Sequence, residues 1–135
     1  MSRLLTICVA FVMGATFSQP LRAHEVLPTI GQLSTSEGTL TLNLRLNAEA
    51  LIAGIDLDGL SDTNTSDKSD TYDELRMLEP GVLSDRIRQD WPQTSQGLTV
   101  LADGTPVSLT LREIEVAEVG NVELARPSRV ILTGP

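Results

Sequence analysis

The chain has 135 residues, with 18 Asp and Glu against 10 Lys and Arg, and a net charge of −8 at pH 7. So acidic a surface repels phosphates, which argues against a nucleic-acid partner. One tyrosine, one tryptophan and two phenylalanines are too few for an aromatic platform on which sugars or bases could stack.

Residues 1–23 have the three-part form of a secretory signal. Arg3 supplies the positive start, and "LLTICVAFVMGATF" supplies an apolar core shorter than the ~20 residues a membrane span needs. "LRA" then offers a small residue at the cleavage position, with Ala15 and Ser18 as alternative cleavage points. Removal of the signal takes Arg3 and Arg22 with it, so the mature domain is more acidic still. Cys8 leaves too, and the domain is held by its core without disulfides. Residues 24–135 number about 110, enough for one modest core. The expected address is exported: the periplasm or the outer face of the cytoplasmic membrane.

"TLTLNLRLN", residues 39–47, alternates strictly. Leu40, Leu42, Leu44 and Leu46 fall on one face and Thr41, Asn43 and Arg45 on the other, the period of a half-buried strand. "SEG" before it reads as a turn and "TIGQLS" as its hairpin partner. "NAEALIAGI" reads as one or two helical turns capped by Asn47, and "DLDGLSDTNTSDKSD" as a polar loop. Thr71 and Glu74 are spaced as a capping box for a helix carrying Tyr72, Leu75 and Leu78. Pro80 suits the first position of a further helix, with Leu83, Ile87 and Trp91 in one stripe and Pro92 ending it.

A second hairpin is expected in "GLTVLADGTPVSLTLREIEV", turning at Asp103-Gly104 in a type I′ turn. That register pairs Val100 with Val107 and Leu98 with Leu109, and Pro106 fits an edge strand. "SRVILTG" reads as the last strand. The expected fold is mainly β within the α+β class: one β-sandwich-like domain, with a helical insertion over about residues 48–92 between two hairpins. The stripe of Leu83, Ile87 and Trp91 should cover part of the core.

Catalytic chemistry finds little support. There is no G-x-S-x-G elbow and no cysteine beyond Cys8, so no nucleophile stands out, and the protein is expected not to be an enzyme. Asp62, Asn64, Ser66, Asp70 and Asp73 fit an EF-hand count, but Asp67 occupies the position where the loop needs glycine, and the last ligand is not Glu. A solvated loop is the better reading. His24 is the candidate metal ligand. If cleavage follows Ala23, its imidazole and the new terminal amine could chelate copper(II). It is the only histidine, so carboxylates such as Glu25 would have to complete the site. Copper or nickel is therefore possible, and no cofactor is the expectation.

"AHEVLPTI", "LTLNLRLNAEALIAGIDLDGLSDTN", "YDELRML", "GLTVLADG" and "VGNVELARPSRVILTG" together resemble the extracytoplasmic N-terminal region of HupE/UreJ-type membrane proteins, over nearly all of residues 23–134. The resemblance implies an outer domain followed by several transmembrane helices, in a family associated with nickel or cobalt uptake. No such helices follow residue 134 here, so none of the family's membrane residues carries over. The expectation is a fragment that ends just before the membrane part. Its partner would be that membrane-embedded region of the same protein, or a periplasmic protein. The alternative is a free-standing periplasmic binding module, with copper held through His24.

Overall fold

The computed structural model describes residues 26–135. The expected signal at residues 1–23 and His24 with its neighbour Glu25 lie outside them. Strand β1 (Ile30–Ser36) and strand β2 (Thr39–Leu46) form the first hairpin. Its two loop residues, Glu37 and Gly38, take φ values of 50° and 77°, the pair of positive values that a type I′ turn requires. β2 alternates as its sequence predicts. Its four leucines are buried, Thr41 and Asn43 are half-buried and Arg45 is exposed.

Asn47 caps helix α1 (Ala48–Ala53), its side-chain oxygen accepting from the Ala50 N–H at 3.1 Å. Gly54, at φ 72°, closes that helix with its N–H directed to the Ala50 and Leu51 carbonyls. The polar stretch that follows is mostly loop, with one 3-10 turn at Thr63–Thr65.

Helix α2 (Ser69–Arg76) begins earlier than a capping box at Thr71 would allow, and Lys68 stands at its N-cap without a side-chain cap. Ser66 feeds the chain into the helix instead. Its hydroxyl accepts from the Lys68 N–H at 3.2 Å, and its carbonyl accepts from the Ser69 N–H at 3.2 Å. Thr71 is thus an exposed interior residue of the helix. Helix α3 (Pro80–Thr94) starts at its proline as expected, but it runs through Pro92 rather than stopping there. The Ser95 hydroxyl donates to the Trp91 carbonyl at 2.6 Å, and the Thr94 hydroxyl to the Asp90 carbonyl at 3.2 Å. These hydroxyls satisfy carbonyls of the last turn, and Pro92 itself leaves only the Arg88 carbonyl without its intrahelical N–H.

The second hairpin turns where expected. Asp103 and Gly104 take φ values of 49° and 80°, between β3 (Leu101–Ala102) and β4 (Thr105–Pro106). The Val107 N–H still reaches the Val100 carbonyl at 2.9 Å, but the ladder does not extend to a Leu98–Leu109 pair. The chain leaves the ribbon there and becomes β5 (Thr110–Val116), which pairs with β6 (Ser128–Gly134). The crossing is tight: a Cβ on Gly134 would meet the Ser108 carbonyl oxygen at 2.8 Å, so only glycine fits beneath the ribbon's exit.

One antiparallel sheet results, in the order β1-β2-β6-β5. The layer packed on it is helical rather than a second sheet. Leu42, Leu44 and Leu46 of β2 and Val130 and Leu132 of β6 meet Leu75 of α2 and Leu83 and Ile87 of α3 in one cluster. The architecture is therefore α+β with an antiparallel sheet, and helix and strand occur in similar proportion rather than mainly β. The insertion is what displaces the sandwich. Its two longer helices bury an apolar stripe each, and the leucine face of the sheet is the only surface in reach that can cover both. Trp91, Leu98, Val100 and Leu109 are half-buried against the same cluster.

Candidate functional site

Two polar assemblies stand out, one inside the protein and one on its surface. Inside, the insertion is tied to the sheet by charged groups. Glu49 of α1 is fully buried and accepts from the Arg126 Nε at 2.8 Å. Arg126 stands just before β6 and also donates to the Leu78 and Leu75 carbonyls, at 2.9 and 3.4 Å. The Leu75 carbonyl also accepts from the Leu78 N–H at 3.2 Å, so one guanidinium adds to the bonding at the end of α2 and neutralises a buried carboxylate.

Beside it, the Asn47 side-chain amide donates to the Tyr72 hydroxyl at 2.8 Å. The buried Arg76 lies 5.0 Å from the Tyr72 ring centre and donates to the Leu124 carbonyl at 3.1 Å. Burial pushes the Tyr72 hydroxyl above its ordinary pKa, against the lowering effects of the Asn47 hydrogen bond and the Arg76 charge. These residues are buried and bond one another and nearby main-chain carbonyls, so the assembly ties the helices to the sheet.

The surface assembly lies on the face of the sheet that the helices leave bare. A hollow of about 650 Å³ crosses the end of all four strands, within the size range of small-ligand sites. Ile30, Val116, Ala117 and Pro127 give it apolar walls, and Arg45, Asn43, Arg129 and Glu115 give it polar ones. Arg129 is held in place, donating to Asn43 Oδ1 at 3.2 Å and to Glu115 Oε2 at 2.9 Å. The Arg45 side chain is exposed and, among the described residues, makes no hydrogen bond or ion pair. Arg112, donating to the Thr133 hydroxyl at 2.8 Å, brings a third arginine to this face. Three arginines thus share this face with Glu113 and Glu115, so it is less acidic than the chain as a whole.

In the acidic loop the carboxylates make local contacts. The Asp62 carboxylate accepts from the Asn64 N–H at 2.9 Å as a local cap, and Asp73 faces Arg76 at 3.5 Å. Asp70 lies in the first turn of α2. Among the described residues, no group of three or more His, Cys, Asp or Glu side chains converges as metal ligands would. The candidate ligand His24 is outside that set.

The sequence reading missed both assemblies. Glu49 and Arg126 are 77 positions apart, and a glutamate between two alanines looks like any solvated helix residue. The bare face had a visible signal in Thr41, Asn43 and Arg45 opposite the leucines, but a sandwich reading assigns such residues to plain solvent. No family model matches the chain, and no curated protein or solved structure is significantly similar to it.

Proposed function

We propose that this chain is a non-catalytic, extracytoplasmic domain of a HupE/UreJ-type membrane protein linked to transition-metal uptake, and that it acts by contact. The observation that carries the contact reading is the bare sheet face. The helices cover one side of the sheet only, and the other side holds a partly apolar hollow with the exposed Arg45 at its wall. Arg129, anchored by Asn43 and Glu115, stands beside it. Such a surface suits an extended loop that carries a carboxylate, and the membrane-embedded region of the same protein is the partner we assign to it. Support for the family comes from the ordered run of similar segments from "AHEVLPTI" to "SRVILTG".

The two halves of this reading have separate tests. Sequencing the gene past codon 135 should reveal an open frame encoding several apolar spans. A stop codon there, together with no membrane protein retained by the exported chain, would overturn the family assignment. For the contact face, Gln32→Cys places a lone thiol at the hollow of the processed protein, and Thr71→Cys places one on the helical side. A photoreactive label on the first should cross-link to the membrane region in intact membranes, and one on the second should not. Equal yields from the two positions would reject the bare face as the contact surface.

A further inference from the structure

β1 is exposed along all seven residues, and among the described residues it has a neighbour on one side only. Its turn fixes which backbone groups are spent. The two-residue loop makes Ser36 and Thr39 a hydrogen-bonded pair, and the antiparallel register carries that pattern to Ser34 with Thr41, Gln32 with Asn43 and Ile30 with Arg45. The N–H and C=O groups of Gly31, Leu33 and Thr35 therefore point away from β2, along the free edge.

Natural sheets guard such an edge with charge, proline or a bulge. The opposite edge of this sheet is guarded in that way. β5 carries Arg112, Glu113 and Glu115, has an irregularity between Leu111 and Glu113, and lies against α3. β1, "IGQLSTS", has no charge, no proline and no bulge. Leu33 pairs with Leu42 and so lies on the helix side of the sheet, yet it is 52% exposed because the helical layer stops short of β1.

We infer that the free edge of β1 pairs with β1 of a second copy, antiparallel about a two-fold axis at Leu33, joining two four-stranded sheets into one. Three features of the strand select a second copy over a foreign segment. Leu33 is the midpoint of Ile30–Ser36, so a two-fold axis there uses the strand's full length. The outward groups then match: Leu33 exchanges both bonds with its symmetry mate, and Gly31 meets Thr35 on each side. On the bare face Gln32 stands opposite Ser34 and Ile30 opposite Ser36, and on the helix side the two Leu33 side chains cover each other. No charged residue faces another in this register, which matters for a chain of net charge −8, since like charges directly opposed destabilise a ladder. This inference stands independently of the membrane-protein reading above.

The test uses the processed, full-length exported protein. Light scattering on the eluting protein should give twice the chain mass, falling to a monomer on dilution. In the dimer the amides of Gly31, Leu33 and Thr35 should be protected from hydrogen exchange, as those of Gln32, Ser34 and Ser36 already are through β2. Leu33→Lys opposes two ammonium groups at the axis, and Thr35→Pro removes an outward N–H while leaving the ladder to β2 whole. Each should yield a monomer in which the remaining edge amides exchange freely, with an unchanged circular dichroism spectrum. A monomer at every concentration overturns the inference. So does a dimer that survives both substitutions, or one in which the three edge amides stay unprotected.

Discussion

Tyr72 is the only tyrosine in the chain, and its hydroxyl is buried in contact with Asn47. That makes a tyrosinate absorbance titration a measurement of one residue. Burial, outweighing the Asn47 hydrogen bond and the Arg76 charge, raises its pKa above the ordinary 10.0. The unfolded chain starts to release this proton near 10.0, where the folded protein still holds it. Above that pH the folded state binds more protons, so stability is complete below it and falls as pH rises. The midpoint of the titration should lie above 10.0 in native protein and return to it in denaturant. A native midpoint at or below the denatured one would refute the burial argument. Asn47→Ala should raise the native midpoint further, because it removes a donor that favours the phenolate, and should cost about 1–3 kcal/mol through the lost cap and hydrogen bond. Only the cap was legible in the sequence. It joins residues three apart, whereas the hydroxyl partner lies 25 positions away.

At the scale of elements, strands were legible and helix ends only in part: Asn47 and Pro80 start α1 and α3 as expected, but α2 starts and α3 ends elsewhere. The leucines of β2 fixed a face, and that face survives in the structure residue for residue. Helix boundaries depend on which nearby group satisfies the terminal N–H or carbonyl, and here Ser66 and Ser95 took roles that Thr71 and Pro92 suggested for themselves. Leu42 is 6% exposed within the shared cluster, and Leu42→Ala should cost about 2–5 kcal/mol in urea unfolding. The Glu49–Arg126 pair should behave differently from a core leucine. Glu49→Ala strands a buried guanidinium and should cost about 3–5 kcal/mol, whereas replacing both residues with apolar side chains should restore much of that loss. A double variant no more stable than Glu49→Ala would mean that the Arg126 bonds to Leu75 and Leu78 carry the stabilisation, and the ion pair does not.

At the scale of the whole molecule, a helical layer and the sheet share the larger core, while a smaller cluster of Ala50, Ile55 and Tyr72 lies within the insertion. Leu83 and Ile87 of α3 are buried in a cluster with Leu42, Leu44 and Leu46 of β2 and Val130 and Leu132 of β6, against which Leu111, Ile114 and Val116 of β5 also pack. This arrangement was partly legible, since three apolar stripes of matching size were visible. What a single sequence could not say was whether the leucine face would meet another sheet or the insertion. The two outcomes differ in their unfolding. An insertion attached to a complete sandwich could melt by itself, whereas a helical layer that closes the core of the sheet must unfold together with it. Trp91, the one tryptophan, is half-buried on α3 against that core, so its fluorescence reports the helical layer alone. Far-ultraviolet circular dichroism reports helices and sheet together. The two signals should follow one curve in urea, with a common midpoint. Leu132→Ala, a change at the centre of the sheet and far from Trp91 in sequence, should shift both midpoints by the same amount. A fluorescence transition that precedes the loss of strand signal would show the helical layer to be an independent unit, and the shared core would then not be what holds this domain together.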